Sequence, residues 1–362
     1  MPDADAPSDI EIIKQRKKDG LEIPLQKNVQ AKTTSTFLEH VKLVHNALPE
    51  INYEDIDLST KFLGHRFSAP LIIDSMTGGT DEATMINGRL GELAEKYGFG
   101  MGLGSQRAGL KSEELAATYS IARKNAPNAF LIANIGGAQL AKGLTIDDAR
   151  KIVKMIRANA LVVHLNPLQE LVQPEGEPRY AGVLAKIAEL VKSMDVPVIV
   201  KEVGAGISRE VAIKLEMAGA SAINVAGAGG TSWAGVEKLR ADMVKDSAKA
   251  RLGELFWDWG LPTAASLIEV KRAVKLPLIA SGGLRNGLEV AKCIALGASM
   301  AAMAYPFLRA AAQSREALFA FADTVLSELK STMFLVGAKN VSALGSSRYI
   351  LTGALAEEIN RA

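Results

Sequence analysis

The string HLNPLQE (164–170) places His164, Asn166, Gln169 and Glu170 directly behind an apolar run. Polar side chains are costly to bury without partners, so a cluster of this kind reads as a ligand site. Glu170 is the candidate metal ligand, because Mg²⁺ is commonly held by one carboxylate together with substrate phosphates. Gln169 is placed to orient substrate or water. The plainer alternative is a turn at Asn166-Pro167 with Glu170 solvated. No HxxxH or CxxC spacing occurs, which argues against zinc.

Two glycine-rich strings, AGAGGT (226–231) and SGGLRNG (281–287), each follow an apolar run. Glycines let backbone N–H groups approach an anion, and the start of a following helix favours negative charge. Together they suggest a phosphate cradle, with Arg285 adding a charge-assisted contact; taken singly, each is an ordinary tight turn. GSQR (104–107) supplies Ser105, Gln106 and Arg107, and RKK (16–18) puts three cations in what reads as a flexible N-terminal segment. An arginine fork suits phosphate oxygens, although RKK alone has the look of a solvated charge run. Lys201 and Glu202 end another apolar run, where a lysine needs an anionic or electron-rich partner. The two could also close on each other as an ion pair. Trp233 can wall an apolar substrate tail or stack on a ring. Trp257 and Trp259 are expected to be packing residues, and His40, His45 and His65 surface or packing groups.

These strings need elements to position them. Eight apolar runs mark strands: 69–76, 98–105, 129–136, 160–167, 196–203, 221–228, 276–283 and 298–305. Most are continuous in apolar residues, as expected of strands buried on both faces, and amphipathic stretches separate them. Alternation of strand and helix at this length predicts an α/β chain closed as a (β/α)₈ TIM barrel, with an open doubly wound sheet as the runner-up. The polar and glycine-rich strings fall at the C-terminal ends of the runs, the end at which such barrels carry chemistry. Residues 1–65 read as an N-terminal extension contributing to the substrate site. Residues 66–362 read as the barrel with C-terminal helices. The intervals 168–180 and 228–262 are long enough for lids or substrate walls, and Thr263 is the expected N-cap of the helix after Pro262.

The chain has 362 residues, of which 48% are hydrophobic and 23% charged, enough to bury a large core without disulfide or metal. A net charge of +2 gives no nucleic-acid footprint, so attraction for an anion must be local. The single cysteine, Cys293, sits in an apolar helical stretch and reads as a buried hydrophobe. The absence of disulfides fits the cytoplasm. No apolar run is long enough for a membrane span, and MPDADAPSDI (1–10) reads as a disordered start rather than a secretion signal.

Taken in order, MTGG (76–79), GSQR (104–107), HLNPLQE (164–170), QPEGEP (173–178), KEVGAGIS (201–208), AGGTSW (228–233), DWGLPTAAS (258–266) and SGGLR (281–285) resemble the type 2 isopentenyl-diphosphate isomerases, archaeal members above all. The resemblance runs from about residue 14 to residue 355. It implies an FMN-containing barrel that converts isopentenyl diphosphate to dimethylallyl diphosphate using reduced FMN and Mg²⁺, without net redox change. It further implies NADPH as reductant and a homo-oligomer, a tetramer or octamer. On this resemblance Met76, Thr77, Gly78, Ser105, Asn134, Lys201 and Thr231 would contact the flavin. Gly282, Gly283, Arg285, Ala301 and Ala302 would surround its phosphate. Arg16, Lys17, Ser105, Gln106, Arg107, His164, Asn166, Gln169 and Trp233 would grip or line the substrate, with His164 and Gln169 in catalytic positions and Glu170 on Mg²⁺. Two positions depart from the family pattern. Gly20 stands where histidine is usual, so that either a diphosphate contact is missing or His40 or His45 substitutes, and Ala226 stands where Ser or Thr is common. The competing readings are an FMN-dependent 2-hydroxyacid-type oxidoreductase and a non-catalytic phospholigand-binding barrel.

Overall fold

The computed structural model describes residues 9–361. Its centre is a closed parallel barrel of eight strands. They are β1 (Leu71–Ile73), β2 (Gly100–Gly102), β3 (Leu131–Gly136), β4 (Ala160–His164), β5 (Val198–Lys201), β6 (Ala222–Asn224), β7 (Leu278–Ala280) and β8 (Met300–Met303). Each lies inside one of the eight apolar runs. Consecutive strands pair in parallel, and β8 returns to β1 to close the ring. Helices cover the outside, as a parallel sheet buried on both faces requires.

Side chains alternate across each strand. Leu71, Ile73, Leu161, Val163, Val198, Val200 and Ile223 face outward into the core shared with the helices. Ile72, Ile132, Val162, Ile199, Ala222, Ile279 and Met300 face inward and fill the barrel axis. The antiparallel hairpin Thr60–Phe62/His65–Phe67 adds Phe62 and Phe67 to that inner core, and His65 packs edge-on against Phe67. Two residues further along the strands the inward positions turn polar: Asp74, Asn134, His164, Lys201, Asn224 and Ser281. Strand register levels this layer, since His164 pairs with Gly136 and with Lys201, and Lys201 with Asn224. The floor of the barrel mouth is therefore set by period-two alternation plus register.

Segments outside the repeat roof that floor. Helix α1 (Asp9–Gln26) carries Arg16, Lys17 and Lys18, so the three cations lie on a helix rather than in a flexible segment. Residues 1–8, most of the expected disordered start, lie outside the described residues. The interval after β4 contains α2 (Pro167–Val172), with Asn166 as N-cap residue and proline in its first turn. The interval after β6 contains α3 (Trp233–Met243), capped by the Ser232 hydroxyl accepting from the Gly235 N–H, and a second helix, Ser247–Leu255. The next helix, α4 (Thr263–Ala273), has Pro262 at its N-cap, which corrects the expectation for Thr263. The Thr263 hydroxyl instead donates to the Gly282 carbonyl at 2.6 Å, tying the start of α4 to the loop after β7. The C-terminal helices include Arg315–Val336, and the short strand Tyr349–Leu351 pairs antiparallel with Val41–Leu43, joining the segment before the barrel to the segment after it. No helix among the described residues is long and apolar enough to cross a membrane.

Candidate active site at the C-terminal rim of the barrel

A cavity of about 240 Å³ opens over the polar floor. It is bounded by α1, the loops after all eight strands and the start of α3.

On one side lie the glycine loops. Gly227, Gly230, Gly282 and Gly283 border the cavity, and their backbones touch one another so closely that side chains are excluded. A Cβ on Gly230 would stand 2.6 Å from Gly283 Cα, and one on Gly282, where φ is +100°, would stand 2.1 Å from the Gly227 carbonyl oxygen. Only glycine fits there, and the result is a backbone-lined concavity. Arg285 reaches the same edge and donates to Gln30 Oε1 at 2.6 Å. Gln30 Nε2 donates to the Thr231 hydroxyl at 3.2 Å, and the Trp257 indole N–H donates to the Gln30 carbonyl at 3.0 Å. Gln30 thus sets two candidate phosphate-side residues, and no local string around it advertises this.

The opposite side is basic. Lys17 Nζ donates to the Ser105 carbonyl at 3.0 Å, with Arg16 and Arg107 beside it on the cavity wall. Burial, reinforced by Arg16 and Arg107, lowers the Lys17 ammonium to about 7. Burial likewise lowers Arg107, again with Arg16 adding to it. This concentration of positive charge in little water is the local attraction for an anion that the net charge lacks.

Between the two sides stands the HLNPLQE string. His164 Nδ1 lies 2.7 Å from Asn134 Oδ1, which can only accept, so the ring carries its proton on Nδ1. Burial, and then Lys17, Lys201 and Arg107, push this imidazole down to about 3, and it stays neutral. Asn166 is held by Tyr180, whose hydroxyl donates to Asn166 Oδ1 and accepts from its backbone N–H, both at 2.8 Å. Gln169 Nε2 donates to Glu237 Oε1 at 2.8 Å. Glu170 is nearly buried, accepts from the Glu177 N–H at 3.1 Å, and keeps only long contacts of 3.4 Å from Gln139 and Asn166. Among the described residues, no cluster of three or more His, Cys, Asp or Glu side chains forms a protein-only metal cage. A cation on Glu170 would need further ligands from a bound molecule.

Lys201 does not close on Glu202. Its Nζ meets Asp74 Oδ2 at 2.8 Å across the barrel. Glu202 turns away and accepts from the backbone N–H groups of Val203, Gly204 and Ala205, while burial, against those bonds, raises its carboxyl to about 7. Ser281 donates to Asn224 Oδ1 at 2.6 Å on the same floor. Asp74, Asn224 and Ser281 were not singled out from the sequence; their signal was a polar residue at an inward position of an apolar run.

The structure brings Arg16, Lys17, Met76, Thr77, Ser105, Arg107, Asn134, His164, Asn166, Gln169, Glu170, Lys201, Thr231, Trp233, Gly282, Gly283, Arg285 and Ala302 to one cavity. Three expected residues stand apart from its lining. Gln106 is wholly buried behind β3, donating to the Ile152 carbonyl and accepting from the Asn134 N–H, so its side chain braces the wall rather than meeting substrate. Gly78 packs on the Tyr119 ring, where a Cβ would stand 1.9 Å away. Ala301 points outward into the helical core, because it alternates with inward Ala302. Neither His40 nor His45 borders the cavity, so neither takes the place vacated at Gly20, which faces Trp233. Ala226 lines the cavity with φ +40° and offers no hydroxyl. Trp257 is buried with Lys32 over its ring, as a packing residue should be, but Trp259 is 62% exposed, which corrects the expectation that it packs. Cys293 is fully buried, and burial pushes its thiol up.

The FMN-dependent dehydrogenase family matches residues 145–351. The chain is 49% identical over 326 residues to the isopentenyl-diphosphate delta-isomerase of Methanothermobacter thermautotrophicus, covering 90% of each chain. It is 47% identical over 338 residues to that of Methanosarcina mazei, covering 93% of this chain and 92% of the relative. It is 48% identical over 333 residues to that of a Nostoc species, covering 92% and 94%. Among solved structures, a lactate oxidase of Pediococcus acidilactici superimposes with a TM-score of 0.65 at 16% identity, covering 95% of this chain and 94% of that one. A mandelate oxidase variant superimposes at 0.62 and 17%, covering 95% and 100%. At those identities the oxidases share the fold alone.

Proposed function

The chain belongs to the FMN-dependent isopentenyl-diphosphate delta-isomerase family, and on that premise we propose that its cavity converts isopentenyl diphosphate to dimethylallyl diphosphate with reduced FMN and Mg²⁺. The observation that carries the reading is the two-sided cavity. A glycine cradle with Arg285 lines one edge, and Arg16, Lys17, Arg107 and the single carboxylate of Glu170 line the other.

The residues present fit a flavin mononucleotide. The cradle excludes any side chain, as a phosphate held by backbone amides requires, and Thr77, Asn134 and Lys201 offer polar atoms on the floor beside it. They also fit Mg²⁺ held jointly, since Glu170 keeps acceptor capacity and the remaining ligands would be diphosphate oxygens. Bound there, the reduced flavin would supply and recover the proton that moves between the substrate's carbons. The protein's own part is to hold and to exclude. Arg16, Lys17 and Arg107 would neutralise the diphosphate in a site with little water. His164, neutral and with its Nδ1 proton donated to Asn134, would offer Nε2 only as an acceptor, to a donor group of a bound molecule, without adding charge. Gln169, fixed by Glu237, would orient the reacting end, and Trp233 would wall the apolar tail. NADPH as reductant, a cytoplasmic location and a homotetramer or homo-octamer belong to the same reading and rest on the family resemblance.

The test is anaerobic incubation of the reduced, FMN-loaded protein with isopentenyl diphosphate and Mg²⁺. Dimethylallyl diphosphate is the expected product. A protein that takes up no FMN, or one that oxidises a 2-hydroxyacid and leaves isopentenyl diphosphate untouched, overturns the reading.

A further inference from the structure

Several groups proposed to hold the diphosphate or orient the substrate come from separate pieces of chain. Arg16 and Lys17 sit on α1, Glu170 on α2, and Gln169 takes its orientation from Glu237 on α3. One side chain touches a carboxylate attached to each of these three pieces, though not to the loop that carries Arg107. The Arg240 guanidinium, 9% exposed, donates through Nε to Asp19 Oδ2 at 3.1 Å. It donates to Glu237 Oε2 at 2.7 Å, and to the two oxygens of Glu175 at 2.7 and 3.2 Å.

Each carboxylate stands one step from a gripping group. Asp19 lies on α1 shortly beyond Arg16 and Lys17, and three residues along a helix is the same face as Arg16. Glu175 belongs to the turn whose Glu177 N–H donates to Glu170. That turn is tight, since a Cβ on Gly176 would stand 2.1 Å from the Glu170 carbonyl oxygen. Glu237 uses its other oxygen to hold Gln169. None of these contacts involves the glycine cradle.

We propose that Arg240 is a positioning residue for the diphosphate side of the site, holding α1, the turn after α2, and Glu237 in the one arrangement in which Arg16, Lys17, Gln169 and Glu170 converge. The guanidinium is suited to this because its fork offers several donors in fixed directions, whereas a lysine ammonium is a single point on a flexible stem. Arg240→Lys keeps the charge and loses the geometry. The inference rests on the isomerase reading, but its failure is distinguishable, because wild-type holoenzyme must first turn over isopentenyl diphosphate.

The test is steady-state kinetics of FMN-loaded Arg240→Lys with isopentenyl diphosphate and Mg²⁺, alongside titration of FMN into the apoprotein. The expected result is a KM at least about tenfold higher, from loss of charge-assisted bonds worth roughly that factor, with FMN affinity and flavin absorbance within twofold of wild type. Asp19→Asn, which cuts only the α1 arm, should raise KM less, and adding it to Arg240→Lys should raise KM by less than the product of the two effects. Unchanged KM in both variants overturns the proposal. So does a parallel fall in FMN affinity, which would mark a general loss of structure, and so does a lysine variant that behaves as wild type, which would mean that charge alone suffices.

Discussion

Lys201 Nζ and Asp74 Oδ2 lie 2.8 Å apart across the barrel mouth, and each side chain is only 8% exposed. They come from β5 and from the residue just beyond β1, on opposite sides of the ring, so the pair spans the floor of the cavity. Asn224 adds a long contact of 3.5 Å to the same carboxylate oxygen. The lysine under the proposed flavin site is thereby fixed in place.

Asp74→Asn should therefore destabilise the protein. Removing one partner of a buried pair leaves the other charge uncompensated, at a cost of about 3–5 kcal/mol. Thermal unfolding of the apoprotein reads this directly. Saturating FMN should restore part of the loss if an electron-rich ring lies against Lys201. A midpoint equal to wild type would remove the pair from the stability of the floor.

Lys17 should make anion binding consume a proton. Burial holds its free-state value near 7, so at about pH 8 it is mostly neutral. A bound diphosphate favours the charged form and draws a proton in. Calorimetry of inorganic pyrophosphate with Mg²⁺ on the FMN-loaded protein, in two buffers of different ionisation enthalpy, should give roughly one more proton taken up by wild type than by Lys17→Gln. Equal uptake in the two would contradict the depressed lysine. For the fold alone the sign is opposite to a stabilising pair. Between about pH 7 and the ordinary lysine value the unfolded chain holds a proton that the folded one lacks, so stability from this group rises with pH.

His164 should contribute no limb to the pH–rate profile near neutrality, because its folded value lies at about 3. Nitrogen-15 NMR of the imidazole should show one neutral tautomer protonated at Nδ1, the nitrogen that faces Asn134 Oδ1. Between about pH 3 and the ordinary histidine value only the unfolded chain is protonated there, so acidification should weaken the fold through this group. A resonance titrating near 6 would refute the assignment.

Glu170→Gln should leave flavin uptake intact and reduce Mg²⁺-dependent turnover by roughly 10²–10³-fold, the scale for losing one fixed electrostatic contact in a site with little water. Flavin absorbance and initial rates across a Mg²⁺ titration separate the two effects. Normal turnover would take Glu170 out of the metal role.

Gly282→Ala should do the reverse. Its φ of +100° and the 2.1 Å approach to the Gly227 carbonyl leave no space for a methyl group. Strain of about 1–3 kcal/mol, placed on the cradle, should weaken FMN by roughly tenfold or more. Fluorescence titration of FMN into the variant apoprotein reads this, and wild-type affinity would show that the cradle is not a phosphate site.

The amino-acid sequence by itself determined the eight strands, the rim on which the loops gather, and the HLNPLQE and glycine strings. Those signals are local: a run buried on both faces, a turn that only glycine can make, polar residues crowded behind a strand. Which side chains face the cavity was decided by the tertiary structure. In a strand apolar on both faces, inward and outward positions look alike, so Ala301 could not be told from Ala302, nor could Gln106 be seen to turn behind β3. The partners of the polar residues were equally hidden. Asp74 and Lys201 are 127 residues apart, Arg240 and Asp19 are 221 apart, and Gln30 and Arg285 are 255 apart. Such pairs form only when barrel closure fixes strand register and lays α1 and the segment after it across the mouth, and no spacing in the sequence records that geometry.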